Sequence, residues 1–267
     1  MSPAHAAMPC GEECSSANHS QAIVSDAQTP TPINGTLIII IDDIGYRLNQ
    51  GRAVVDLPAR LNIAVLPYTP HGRDLAERAH QSGKEVLLHA PMSNLGNKPM
   101  GEGALTSEQN EATFKATLDD ILQQIPHVRG VNNHMGSDLT GRKQQMGWVM
   151  EELLARELYF VDSRTSNKTI AAATAGEYGV PHLSRHVFLD HDPDTASIDL
   201  RFKEALALVR RFGQAVVIGH PHPETIAYLR ETLPQLEAMG IRLAHVSEML
   251  PAEESGYSLT SMPLDAM

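Results

Sequence analysis

Leu37-Ile38-Ile39-Ile40-Ile41-Asp42-Asp43-Ile44-Gly45 is a run of five apolar residues, four of them β-branched, that ends on two adjacent carboxylates. A run so short, opened by β-branched residues that crowd a helix, reads as a strand. Because it does not alternate with polar residues, it reads as a strand buried on both faces, as in a parallel sheet wrapped by helices. Asp42 and Asp43 then stand where the strand leaves the sheet. Neighbouring strand residues point to opposite faces, so the pair is expected to divide two tasks, one binding a metal and the other taking a proton. A turn or a helix N-cap is the plain alternative for two such acids.

Outward from this strand the chain alternates. Helix 51–57 ends at Pro58, strand 61–66 stops at Pro67, and helix 71–82 is capped by Gly83. Strand 85–88 runs into His89, and a loop with three glycines follows between Gly96 and Gly103. Thr106 and Gln109 have the spacing of a capping box, which predicts the start of a helix carrying Phe114, Leu118, Ile121, Leu122 and Ile125. Strand 128–132, a helix with Met146, Val149, Met150, Leu153 and Leu154, and strand 158–161 come next. An Ala-rich helix at 169–176, strand 187–189, helix 198–212, strand 215–218, a helix from Pro223 to Gly240, strand 241–244 and a short closing helix at 246–250 complete the order. Seven or eight strand–helix alternations predict an α/β fold with a parallel sheet, closed into a barrel or open and doubly wound. Both place ligands beyond the C-terminal strand ends.

Residues 1–35 are rich in Ser, Ala, Pro, Thr and Gln without periodicity and read as a disordered arm, as does the tail 251–267. The span 36–250 reads as the folded domain. A net charge of -11 argues against a nucleic-acid partner, and aromatics at 4% against a long stacking platform. No apolar run approaches the roughly 20 residues of a membrane-spanning helix. Cys10 and Cys14, the two cysteines, lie in the N-terminal arm and do not decide the redox compartment. The first residues lack the charged and apolar regions of a secretory signal, although Ala4-His5-Ala6 looks like the end of a cleavage site.

The residues just after each predicted strand are Asp42 and Asp43, His89, Asn133 and His134, Asp162, Asp190, and His220 with His222. Four of the 13 His fall on three of these ends. All would share one rim, and carboxylates with neutral imidazoles are ligands for Zn²⁺ or a similar divalent ion. No Gly-rich phosphate loop follows the first strand and no Gly-x-Ser-x-Gly elbow occurs. Water activated by a metal, with a carboxylate base and a histidine acid, suits the inventory better.

Asp42-Asp43-Ile44-Gly45, Leu88-His89-Ala90-Pro91-Met92, Asn133-His134-Met135-Gly136-Ser137, Phe160-Val161-Asp162-Ser163, Val187-Phe188-Leu189-Asp190 and Gly219-His220-Pro221 together resemble the divergent polysaccharide deacetylase family, over about residues 36–250. The resemblance implies a distorted (β/α) barrel of about seven to eight parallel strands, a polysaccharide or glycan substrate and a periplasmic or cell-envelope setting. It also implies Asp42 as base, Asp43 as metal ligand and His220 as acid, with Asp162 orienting His220 or holding substrate. The superfamily's His-x-x-x-His metal motif falls at His89, but its second position here is Ser93. His134 is the expected replacement ligand. Asn133, Ser137, Asp190 and His222 are expected on the substrate side, Asp190 alternatively as a structural cap. A metal-dependent deacetylase is the leading expectation. A non-catalytic envelope protein that binds a glycan or partner, or an amidase or phosphoesterase on the same barrel, stays open.

Overall fold

The computed structural model describes residues 34–250. The expectations for the arm, the tail, Cys10 and Cys14 lie outside the described residues, apart from the arm's last two.

Strand β1 (Gly35–Ile44) is followed by α1 (Leu48–Val55), β2 (Asn62–Val65), α2 (Gly72–Gln81), β3 (Glu85–Met92), α3 (Glu111–Gln124) and β4 (Val128–Met135). Then come α4 (Lys143–Ala155), β5 (Tyr159–Asp162), α5 (Ala171–Tyr178), β6 (His182–Ser184), β7 (Val187–Phe188), α6 (Thr195–Phe212), β8 (Gln214–Gly219), α7 (Pro223–Thr232) and β9 (Ile241–Leu243). Eight strands pair in the order β6-β5-β4-β3-β2-β1-β8-β7, and β9 joins the start of β1. Every pairing is parallel. This is the expected distorted barrel, and it is left open between β6 and β7. The connecting residues cross the gap: Arg185 N–H donates to Asp162 C=O and His186 N–H to Val216 C=O.

Side-chain alternation along β1 divides the core into two layers. Leu37, Ile39 and Ile41 face the helices, in a cluster with Phe114, Phe160 and Phe202. Ile38 and Ile40 fill the barrel interior with Leu87, Tyr159, Val161, Val216 and Ile218. At the base of the barrel the closing turn 246–248 is tied down by two buried polar residues. Asn62 accepts from Val246 N–H at 2.9 Å, and Glu85 accepts from Ser247 N–H at 3.0 Å and Tyr159 O–H at 2.7 Å.

Three expectations change. Gln109 does accept from Thr106 N–H, but α3 begins later, at Glu111, because Asn110 caps it by accepting from Thr113 N–H at 3.0 Å. Strands β3 and β4 run on through His89 and His134, so those residues belong to the sheet rather than to loops. The helix after Pro223 breaks at Thr232 and continues as two single 3₁₀ turns to Met239.

Candidate metal centre

The alternation that places Ile38 and Ile40 inside the barrel carries Asp42 inward too, at the mouth. Asp43 should then turn outward beneath the helices. It does not, because its backbone is left-handed (φ 58°) and the β1–β2 register slips between Ile41 and Ile44. This bulge brings both carboxylates to one side. Asp42 Oδ2 lies 3.6 Å and Asp43 Oδ1 3.2 Å from His89 Nε2. The two acids thus share one face rather than the opposite faces that alternation predicts.

Strand β3 presents His89 inward beyond Leu87, and β4 presents Asn132 and His134. His134 Nδ1 lies 2.9 Å from Asp43 Oδ1 and 3.1 Å from His89 Nε2. Three donor atoms, one carboxylate oxygen and two imidazole nitrogens, therefore form a nearly equilateral triangle. Donors at bonds of about 2.0–2.1 Å around a tetrahedral ion lie about 3.3 Å apart, so the triangle has the dimensions of one tetrahedral face. Asp43 Oδ1 is buried and lacks a hydrogen bond of proper geometry despite its near neighbours. The donor chemistry and the orphaned oxygen both fit a divalent transition metal.

Asn132, fully buried, links the acids to the imidazoles. Its Nδ2 donates to Asp42 Oδ1 at 2.8 Å, so its Oδ1 is left to face His89 Nδ1, at 2.8 Å. An amide oxygen only accepts, so His89 carries its proton on Nδ1 and turns Nε2 toward Asp43 and His134. An imidazole whose remote nitrogen is held in this way is the form that ligates metals.

The charges reinforce one another. Burial raises the Asp42 pKa against the opposing pull of His89 and His220. Burial also pushes Asp43 up, but the His134 and His89 rings outweigh it and hold the carboxyl well below the usual range. Burial pushes His89 down, and the two acids outweigh it, raising its pKa. The negative field that favours a proton on Nε2 equally favours a metal cation.

On the far side, β8 brings in His220. Asp190 Oδ1 accepts from His220 Nδ1 at 2.8 Å, while its Oδ2 accepts His220 N–H at 2.6 Å and Thr225 O–H at 2.7 Å. Burial lowers the His220 pKa, but the bond to Asp190 outweighs it and raises the group to about 9. Phe188 stacks near the ring.

Several expected residues stand apart from the triangle. Asp162 does not reach His220. Alternation on β5 sends Tyr159 and Val161 inward and Asp162 outward, where it accepts from Arg164 N–H and Thr169 O–H. Asp190, rather than Asp162, hydrogen-bonds His220, and both its oxygens are engaged. Asn133 uses its amide on Ser163 N–H and Met135 C=O, which fixes the β4 and β5 ends. Ser137 accepts from Leu95 N–H and His222 precedes α7; both border open cavities beside the centre. Ser93 is committed elsewhere: its hydroxyl donates to Asp138 Oδ2 at 2.8 Å alongside Ser107, while Arg142 Nε and Nη2 both donate to Oδ1.

Residues 39–250 match a family model described as divergent polysaccharide deacetylase. The sequence is 38% identical over 216 residues to the uncharacterized protein YibQ of Escherichia coli, covering 81% of this chain and 67% of that one. It is 36% identical over 200 residues to an uncharacterized protein of Haemophilus influenzae, covering 75% and 71%. Among solved structures, an uncharacterized protein of Agrobacterium tumefaciens superposes with a TM-score of 0.77 at 22% identity, over 80% of this chain and 88% of that one. The catalytic domain of a peptidoglycan N-acetylglucosamine deacetylase from Eubacterium rectale gives 0.51 at 15%, over 84% and 93%. At these identities the two structures share the fold.

Proposed function

The chain belongs to the divergent polysaccharide deacetylase family, and from that premise we propose that it is a metal-dependent hydrolase removing acetyl groups from an envelope polysaccharide. The observation that carries this reading is the convergence of Asp43, His89 and His134 on one point at the barrel mouth. These three would hold Zn²⁺ or another divalent transition metal. When bound, such an ion would polarise an acetyl carbonyl and lower the pKa of its bound water toward neutrality.

The remaining residues do the proton work. Asp42, buried and held by Asn132, takes the proton of the attacking water. Its raised pKa strengthens it as a base. His220, kept protonated by Asp190, gives a proton to the departing sugar nitrogen or oxygen. Asn132 and Asp190 are positioning residues. The envelope setting and the glycan substrate are the family's, and among the described residues no helix is long and apolar enough to cross a membrane.

Asp43→Ala removes one vertex of the triangle. The purified variant is expected to lose both its bound metal by elemental analysis and its acetate release from acetylated oligosaccharides. Retained hydrolysis in a metal-free preparation contradicts the reading. One observation favours a non-catalytic, glycan- or partner-binding protein instead: Ser93 stands where the wider superfamily has a second histidine. Sustained turnover by the metal-loaded wild type excludes that alternative.

A further inference from the structure

Two cavities flank the candidate centre, and Asp43 and His220 line both. One, of 310 Å³, extends past His134 to Asn94 and Lys98. The other, of 490 Å³, extends to Tyr46, Arg47 and His222. The centre therefore stands on the wall between two openings. A ligand longer than one sugar ring would reach into both.

The charge along these flanks is one-sided. Among the lining residues the only carboxylates are Asp42 and Asp43, which belong to the centre itself. Beyond the centre the permanently charged groups are Lys98 on one side and Arg47 on the other. Neither forms an ion pair among the described residues. In a chain with 32 acidic and 21 basic residues, two cations and no further carboxylate beyond the centre run against composition.

Both cations sit on fixed backbone. Asn94 grips Lys98 twice, its Oδ1 accepting Lys98 N–H and its Nδ2 donating to Lys98 C=O, each at 2.9 Å. Ser137 holds the same loop through Leu95 N–H at 3.1 Å. Arg47 directly precedes α1, and its carbonyl accepts from Gly51 N–H at 2.9 Å. The two charges thus stand on hydrogen-bonded backbone on opposite sides of one centre.

Resting on the deacetylase reading above, we propose that the preferred substrate is an anionic glycan, selected by Lys98 and Arg47. Its carboxylate or phosphate groups lie on the sugars to either side of the acetylated unit. The same two charges disfavour an ammonium nearby, so a chain already N-deacetylated at the adjacent sugar is a poor substrate.

The test compares kcat/KM for three acetylated oligomers: an oligogalacturonate, a phosphate-bearing oligomannoside and neutral chitotetraose. A charge-assisted contact gives about tenfold or more, so at least one anionic oligomer is expected to exceed the neutral one by that factor. The favoured arm tells carboxylate from phosphate. Lys98→Gln and Arg47→Gln each lower the anionic-to-neutral ratio about tenfold, and the preference shrinks as salt is added. Arg201→Gln, on the exposed side of α6, keeps the ratio. Equal rates on all three oligomers, or a ratio unmoved by both substitutions, overturn the inference while leaving the deacetylase reading intact. If no oligomer releases acetate, it is the deacetylase reading that fails. Calorimetric titration with the unacetylated anionic oligomers then decides: binding weakened in both variants supports the selection, and binding absent or unweakened overturns it.

Discussion

Asn132 is the residue through which the two halves of the centre communicate. It hydrogen-bonds the Asp42 carboxylate with one end of its amide and His89 with the other, so the base and the ligand are oriented together. Asn132→Leu keeps the branched shape but frees the His89 ring to change tautomer and leaves Asp42 with one donor fewer. Loss of such a supporting contact typically weakens metal binding by about 10–100-fold, and chelator competition should read a fall of that size. Unchanged affinity would show that His89 needs no such support. His220 and Asp190 form the second coupled pair. His220 must be protonated to act as an acid, and its pKa lies at about 9, so activity should fall as pH rises through that value. Asp190→Asn removes the group that raises it and moves this alkaline limb to lower pH; a stationary limb would contradict the assignment. The pair's effect on stability follows the same signs. His220 contributes below its unfolded pKa of about 6.5 and loses that contribution as pH rises through about 9. Asp190, whose carboxyl is lowered, contributes above its unfolded value and loses this as pH falls through its folded one.

Strands deliver these residues by parity, and parity was already written in the sequence. Ile38, Ile40 and Asp42 fall on one face of β1; Leu87 and His89 on one face of β3; Val216 and Ile218 on one face of β8, with His220 next in that count just past its end. The same count assigns Asp162 to the outer face of β5 and Asn132 to the inner face of β4. Reading only which polar residues end a strand, without counting back along it, chose Asp162 and passed over Asn132. Asp43 breaks the count through its left-handed backbone, and nothing in an Asp-Asp-Ile-Gly string announces such a bulge. Left-handed non-glycine residues also stand at Tyr68, Met135 and Arg164, and at His127 and Glu157 before β4 and β5, so this backbone state does not by itself mark the mouth. Ser93 illustrates why a motif can shift between elements. Its hydroxyl and carbonyl anchor the 136–141 turn through Asp138 and Leu139, so an imidazole there would break a network rather than complete a metal site. Ser93→His is expected to leave metal affinity no higher. It should lower stability by about 1 kcal/mol, because Asp138 loses a partly buried partner, as measured by urea denaturation. A gain in affinity would show that the turn is not needed in its present place.

For the whole molecule, the alternation of strands and helices specified a parallel sheet, closed or open, because such a sheet has few ways to bury both faces, and the family resemblance pointed to the distorted barrel. Its opening between β6 and β7 was not legible. Those strands are only three and two residues long, too short to show a pattern, and the gap is crossed by backbone bonds of Arg185 and His186 that side-chain identity does not predict. The barrel also explains how a centre is assembled from distant parts of the chain: Asp43, His89 and His134 come from β1, β3 and β4, and His220 follows β8. Anomalous diffraction at the zinc edge from zinc-loaded crystals tests that assembly most directly. The account predicts one strong peak within about 2.0–2.2 Å of Asp43 Oδ1, His89 Nε2 and His134 Nδ1, and no such peak in Asp43→Ala crystals. A peak held by other residues, or none at this point in the wild type, would contradict it.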